Sequence, residues 1–459
     1  MFIGRTEELR QLNALYRTGK FHFLVMYGRH GVGKSALLSE FVNQKPYLFF
    51  TAAETNDLHN LSLFLNYLQK ASGSRNLANG VDSFETALEA IFQFSTQQQI
   101  ILVLDNYPFL HKSAKNISVI LQKLIQKYRT TSKLFLILCG SGFTSMEKLF
   151  LEEKAPFYQL PTCKLCLEPF DYFESCHFFR RFSSTDAACI YGMTGGVPKY
   201  LLQFNDKLTL EENVKQLFLN PLSPLYNEPA NLLGHEVREQ ALYTAILSIL
   251  AEHSCKMAEI HTRIQEETSV CTAYLKSMLA MGIVKKETPV AESSVKKTIY
   301  RISDPIFRFW YRFMPEQFTN IICGQTQTAW LSIKSQMNDF MQDVFEDICR
   351  QYLANLHKSQ KAPFDLSNMG RWWGYEPKTN RKISIDILAT CQETSALFGC
   401  CRWNDEPVDS DTVEQLITDS SSFPQKEKYY YIFSKNGFTK QCKDMVAEQK
   451  NIVLISFSK

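Results

Sequence analysis

The chain sets short, wholly apolar runs against longer stretches of helical spacing. Residues 21–27 (FHFLVMY), 46–54, 100–105 and 133–142 are β-rich runs that read as strands. The segment after Arg5, with Leu9, Leu12 and Leu15 on one face, and residues 36–41, 58–71, 83–95 and 117–129 repeat apolar side chains every three to four positions and read as helices. Strands that are apolar throughout are covered on both faces, and their alternation with helices predicts a parallel sheet. Residues 165–235 read as short helices broken by GMTGGVPKY. Three helical patterns follow at 241–253, 256–264 and 269–282, then two β-rich segments around a polar loop. That order predicts a winged helix-turn-helix. Towards the end come a helix around Glu346, strands at 381–390 and 396–403, a helix at 411–418 and a strand at 428–438. The expected architecture is α/β and multidomain: an α/β core over 1–160, a helical lid over 161–235, a winged helix over 236–314, a linker helix over 315–340 and a second α/β domain over 341–459.

The total of 459 residues suits about three domains. A net charge of +3 neither demands nor excludes nucleic acid, because a basic patch can hide in a balanced total. The longest apolar runs are too short to span a bilayer, and charge arrives at Arg5 and Glu7, so the expectation is a cytoplasmic protein without membrane contact. Thirteen cysteines at irregular spacing read as reduced core residues. Cys163 and Cys166 alone have ligand spacing, with no second pair nearby to complete a zinc site.

The strongest chemical signal follows the first strand. Gly28-Arg29-His30-Gly31-Val32-Gly33-Lys34-Ser35-Ala36 is GxxxxGKS between a strand and a helix. Glycines let backbone N–H groups close around phosphates, and the helix N-terminus adds positive potential. Lys34 would reach the β- and γ-phosphates of ATP, and Ser35 would ligate Mg²⁺. Asp105, ending the strand ILVLD, is placed to hold the same ion. Ser141 ends the next strand, a position that resembles the one where AAA+-type ATPases place a polar residue that senses the γ-phosphate. Asn106 stands where an acid usually orients the attacking water; an amide hydrogen-bonds but cannot act as a base.

FIGRTEEL, the GKS loop, LDNYPFL, LCGSG, LEPFDYFE, GGVPKYL, DPIFRFWYRF and FGCCRWND together resemble the archaeal-type P-loop ATPases, related to the AAA+ and STAND groups, that carry a C-terminal restriction-endonuclease-like domain. The resemblance runs end to end. It implies that FIGR lies by the adenine and that GGVPKY lies in a lid facing the nucleotide; from the residues alone, FIGR reads equally as the start of a capping helix and GGVPKY as a plain interhelix loop. Two departures stand out in the core: Asp-Asn at 105–106 where relatives read Asp-Glu, and Tyr158-Gln159-Leu160 where they read Tyr-Gly-Arg. In the nuclease-like domain the resemblance assigns Glu346 and Asp386 to metal binding. Relatives there read Gly-Glu-Cys-Lys-Trp against Gly399-Cys400-Cys401-Arg402-Trp403 here. A soft thiol at Cys400 suits magnesium poorly, and Arg402 hardly deprotonates, so a degenerate, inactive nuclease is expected. Asp365 and Glu376 are the candidate substitute ligands.

The winged helix would offer DNA Ser269, Thr272 and Lys276 from its recognition helix and Lys285, Lys286, Lys296 and Lys297 from its wing. That helix is poor in Arg, Asn and Gln, so protein docking is the alternative. The aromatic stripe at 304–313 reads as packing ahead of base stacking. The function expected is an ATP- and Mg²⁺-binding switch with slow or absent hydrolysis that contacts DNA or a protein partner. The rivals are an active ATP-dependent DNA-processing nuclease and an interaction scaffold with an empty loop.

Overall fold

The computed structural model describes residues 2–457, apart from 73–79, 142–145, 147, 148, 151, 154, 238, 291–296, 367, 376–380, 392 and 393. It divides into two compact units, Met1–Pro169 with Val197–Lys199, and Phe170–Gly196 with Tyr200–Lys459.

The first unit is built on five parallel strands in the order β2-β3-β4-β1-β5: β1 (His22–Gly28), β2 (Tyr47–Thr51), β3 (Ile100–Asp105), β4 (Leu134–Ser141) and β5 (Cys163–Cys166). Every residue of β3 is buried, as its unbroken apolar run requires. Helices α1 (Thr6–Arg17) and α2 (Lys34–Val42) cover one face, where Leu12, Leu37 and Phe41 meet Leu24, Met26 and Ile137. Helices α3 (Asp57–Ser72), α4 (Phe84–Gln97), α5 (Tyr107–Ser113) and α6 (Ile117–Tyr128) cover the other, packing Phe64, Ile91, Tyr107 and Leu121 on Phe23, Leu102 and Leu136. A capping box of Ser83 and Thr86 starts α4. The sheet extends past the boundary expected at residue 160: CKLC is its fifth strand, pairing with β1. Cys163 and Cys166 are therefore edge-strand thiols.

In the second unit, α7 (Ser184–Thr194) and α8 (Leu210–Leu217) belong to the helical segment after residue 169. Helices α9 (Ala241–Glu252), α10 (Met257–Ile264) and α11 (Thr268–Ala280) precede an antiparallel hairpin of β6 (Val284–Glu287) and β7 (Ile299–Ile302). Helix α12 (Pro305–Ile322) carries the aromatic stripe into the core. Phe307, Phe309, Trp310, Tyr311 and Phe313 are all buried, Phe309 meets Phe218 edge-on at 4.8 Å, and the Trp310 indole donates to the Tyr226 carbonyl at 2.6 Å. Residues 315–340 form no separate linker helix: α12 ends at Ile322, and α13 (Thr326–Lys358) runs 33 residues into the C-terminal sheet domain. Gly192 lets α7 approach α13 closely, since a Cβ there would lie 3.0 Å from Val344.

That C-terminal sheet has the order β12-β11-β10-β9-β8. Strand β9 (Lys382–Cys391) runs antiparallel to both its neighbours, β8 (Met369–Tyr375) and β10 (Ser395–Arg402). Strands β11 (Glu427–Ser434) and β12 (Ile452–Ser456) add in parallel through crossovers that contain α14 (Ser410–Ser420) and α15 (Lys440–Val446).

Candidate nucleotide-binding site

β1 hands the chain directly to the glycine loop, and α2 begins at Lys34. The glycines serve different ends. A Cβ on Gly28 (φ +147°) would lie 2.3 Å from the Leu167 carbonyl oxygen, and one on Gly31 (φ +82°) would lie 2.8 Å from Lys199 Cβ. Two distant segments thus close on the loop: residues 167–168, just after β5, and residues 197–199 from GGVPK. The Lys199 N–H donates to the Gly31 carbonyl at 3.2 Å. From the other side, the Arg5 guanidinium donates to the carbonyls of Val32 (3.2 Å) and Glu168 (2.6 Å) and pairs with Glu8 at 3.0 Å. Arg5 is only 6% exposed and has a left-handed backbone (φ 59°). A buried, permanently charged fork with several carbonyl acceptors is a rigid clamp. Sequence reasoning singled out FIGR but missed this role, and it missed Lys199; the one sequence signal was a cation directly following the apolar Phe2-Ile3-Gly4.

Lys34 Nζ donates to the carbonyls of Gly28 and Arg29, both at 2.9 Å, which sets the ammonium inside the loop. Burial pulls its pKa below the ordinary lysine value, opposed by Cys139, Asp105 and Cys166. Ser35 Oγ donates to Asp105 Oδ2 at 2.8 Å, and the Asn106 N–H donates to Asp105 Oδ1 at 2.9 Å. One carboxylate oxygen is thus tied to backbone while the other faces the hydroxyl. Two adjacent hard oxygens fit Mg²⁺, which keeps several waters and takes few protein ligands. Ser141 lies opposite Gly28 in the β1–β4 register. Lys34, Ser35, Asp105 and Ser141 therefore gather at the C-terminal edge of the parallel sheet, where open α/β sheets bind ligands.

Asn106 precedes α5 with φ 53° and ψ 38°. Asn visits this left-handed region readily because its short side chain can hydrogen-bond the local backbone, a compensation the longer Glu lacks. The backbone thus supplies a local reason for the residue that replaces the usual acid.

The C-terminal carboxylates also converge, but on arginines. Glu346, on α13, is buried at 2% exposure. Arg371 Nε lies 2.8 Å from its Oε2, an ion pair without a hydrogen bond of good geometry, and Arg371 Nη2 donates to Oε1 at 3.1 Å. Asp386 Oδ2 accepts from Arg402 at 3.1 Å and from the Cys401 N–H at 2.9 Å. Burial pushes Glu346 up to about 7; Arg371 opposes this, and Asp386 and Asp343 reinforce it. Cys400 joins the apolar cluster of Ile385, Phe398 and Val413, and burial pushes its thiol up to about 12. Among the described residues this donor set does not fit a magnesium ion: guanidinium groups stand against both carboxylates. Asp365 pairs with His357 at 3.5 Å, and Glu376 lies outside the described residues.

The wing is also less free than expected. Lys285 is half-buried and faces Asp347 of α13, and Arg301 of β7 pairs with the same carboxylate at 3.3 Å. Lys297 Nζ sits 5.8 Å from the centre of the Trp372 ring on β8, and the Val290 N–H donates to the Arg371 carbonyl at 2.9 Å. Lys285 and Lys297 are thus committed within the unit rather than presented to a phosphate backbone. Lys286 is exposed, and Lys296 lies outside the described residues. On α11, Ser269, Thr272 and Lys276 share an exposed face, which Glu266 and Glu267 adjoin in sequence.

A five-stranded parallel sheet with a GKS loop after its first strand and an aspartate ending β3 defines a P-loop ATPase fold. The Walker-type ATPase of Pyrococcus abyssi shares it, with TM-score 0.52 and 17% identity over 68% of this chain and 96% of that one. Cdc6p of Pyrobaculum aerophilum is a weaker likeness, with TM-score 0.36 and 13% identity over 71% and 94%. Residues 2–204 belong to the family described as an ATPase domain predominantly from Archaea, and residues 310–415 to one described as archaeal and bacterial proteins of unknown function. An uncharacterised protein of Methanocaldococcus jannaschii is 28% identical over 453 residues, 96% of this chain and 97% of that one. The chain is thus an archaeal-type ATPase-domain protein joined to that second domain. No helix among the described residues is long and apolar enough to cross a membrane.

Proposed function

We propose that the chain is an ATP-binding switch that hydrolyses slowly or not at all. The observation that carries this reading is the trio of Lys34 in the loop, Ser35 bonded to Asp105 at 2.8 Å, and Asn106 immediately beyond. Lys34 would trade its two carbonyl partners for the β- and γ-phosphates, and the loop N–H groups would cradle them. Ser35 and Asp105 would hold Mg²⁺, which when bound offsets phosphate charge. Arg5 and the 197–199 segment keep the loop closed on its outer side, with FIGR by the adenine and Pro198 against Gly33. Asn106 can hydrogen-bond a water but takes no proton from it.

The remaining parts suit a readout. Three helices with a hairpin have the order of a winged helix, and a mixed sheet with a helix Glu and a strand Asp has the order of a restriction-endonuclease-like domain. With both carboxylates held by arginines, the second domain serves binding rather than cleavage. With Lys285 and Lys297 turned inward, the exposed face of α11 is the candidate contact for DNA or a protein partner.

The test measures ATP affinity and single-turnover hydrolysis for wild type, Lys34→Ala and Asn106→Glu. The proposal expects binding to be lost in Lys34→Ala and turnover to rise only in Asn106→Glu, by a factor on the order of 10² or more for a gained base. Ready hydrolysis by wild type would refute it.

A further inference from the structure

A third cluster lies apart from both centres, at the joint between α9 and α10. Helix α9 stops at Glu252, and His253 continues in extended backbone (φ −164°, ψ 166°). Cys255 is then held from both sides by β7: its N–H donates to the Tyr300 carbonyl at 3.0 Å, and the Tyr300 N–H donates back at 2.7 Å. Helix α10 opens at Met257, which puts Glu259 in its first turn. These three local constraints aim three different donors at one point. A ring nitrogen of His253, the Cys255 sulfur and a Glu259 carboxylate oxygen all lie within 4.8 Å of one another. His253 Nε2 is 2.7 Å from Glu259 Oε1.

The burial is graded as a metal site needs. The Cys255 residue is 1% exposed and forms the floor, while the His253 and Glu259 side chains are 55% and 41% exposed and form an open rim. The donor set is also selective. Magnesium and calcium want oxygen alone, and copper(I) wants sulfur. Zinc accepts imidazole, thiolate and carboxylate together at about 2.0–2.3 Å, and the exposed His253 and Glu259 side chains have room to swing in and close the present spacing of up to 4.8 Å around an ion.

We propose that His253, Cys255 and Glu259 form a zinc(II) site whose fourth position is taken by water. Binding exchanges the Cys255 thiol proton for the metal, so one proton is released to solvent per ion. The resulting thiolate and the Glu259 carboxylate together balance the 2+ charge. Glu252 and Arg263, paired with each other at 2.8 Å, flank the site and contribute little net charge. A bound ion would staple the end of α9 to the start of α10 and, through the Cys255–Tyr300 bridge, to the hairpin. It would therefore raise the unfolding temperature, and go on raising it with the logarithm of free Zn²⁺ above the dissociation constant.

The experiment uses the full chain, stripped of metal with a chelator and then titrated with Zn²⁺ against a chromophoric indicator. Co²⁺ serves in parallel as a spectroscopic probe. The proposal expects one tight equivalent of Zn²⁺, a thiolate-to-cobalt charge-transfer band with tetrahedral d–d bands, and a higher unfolding temperature with Zn²⁺. Cys255→Ser should abolish the charge-transfer band. His253→Ala changes a surface residue and should fold normally, yet weaken Zn²⁺ more than tenfold. Cys323→Ser, which removes an exposed thiol elsewhere, should change nothing. Absence of stoichiometric Zn²⁺ overturns the proposal. So does a cobalt spectrum that survives both Cys255→Ser and His253→Ala, or one lost in Cys323→Ser.

Discussion

Asp347 offers a direct test of whether arginine pairing holds the second unit together. Its Oδ1 lies 2.5 Å from Arg350, and its Oδ2 lies 3.3 Å from Arg301 and 3.7 Å from Arg308. Those arginine side chains are 14%, 4% and 12% exposed, and that of Asp347 27%. Asp347→Asn keeps the shape and removes the charge. Breaking a buried pair by deleting one partner costs about 3–5 kcal/mol. Arg301 keeps Glu287 at 3.4 Å and Arg350 keeps Glu346 at 3.8 Å, and Asp347 retains some solvent, so the lower end applies, about 3 kcal/mol. At roughly 2 °C per kcal/mol for a unit of this size, the unfolding temperature should fall by about 6 °C. The pH dependence has a defined sign. Burial alone would raise the Asp347 pKa; Arg301, Arg350, Lys285 and Arg308 outweigh it and hold the carboxyl well below its ordinary value. A group depressed in the folded state stabilises above its unfolded pKa of about 4 and loses that contribution as pH falls towards the folded value. The gap between wild type and Asp347→Asn should therefore be complete at pH 5 and above and close below about pH 4. Urea unfolding across that range measures it. A variant within about 1 kcal/mol of wild type at pH 7, or a gap unchanged by acid, would refute the reasoning.

Three further outcomes are expected. Gly28→Ala should yield little folded protein, because its Cβ would lie 2.3 Å from a backbone oxygen in a loop with φ +147°; a normal yield with an unchanged melting curve would contradict this. Arg5→Ala should lower ATP affinity at least tenfold while Lys34→Ala leaves the melting temperature of the apo protein near wild type, since Arg5 bridges Val32 and Glu168 and Lys34 bonds only its own loop; calorimetry on both variants decides it. For Glu346, raised to about 7 by burial with Asp386 and Asp343 against Arg371, the folded state holds the proton longer than the unfolded one, so wild-type stability falls as pH rises from about 4.5 to 7. Glu346→Gln should gain on wild type across that window in urea titrations, and a parallel pair of curves would count against it.

Local pattern carried much of this protein's organisation. The apolar run at 100–105 had to be a doubly covered strand, and GRHGVGKS between a strand and a helix had to be a loop opening at a helix N-terminus. The order of helices and hairpin from 241 to 302 followed from periodicity alone. These are properties of neighbours in the chain, where side-chain spacing and backbone freedom suffice. What the chain pattern did not carry were meetings between distant segments. CKLC looked like an isolated thiol pair and is an edge strand, because hydrogen bonding to β1 decides a strand, and that partner lies about 140 residues away. Residues 315–340 looked like a linker and are parts of two packed helices. Lys285 and Lys297 looked like wing cations, but the hairpin's docking on α13 and β8 turned them to Asp347 and Trp372. Charge is visible in a sequence; what that charge faces is set only when the elements pack. His253, Cys255 and Glu259 make the same point: nothing in HSCKMAE names a site until the bridge to Tyr300 brings three donors to one place.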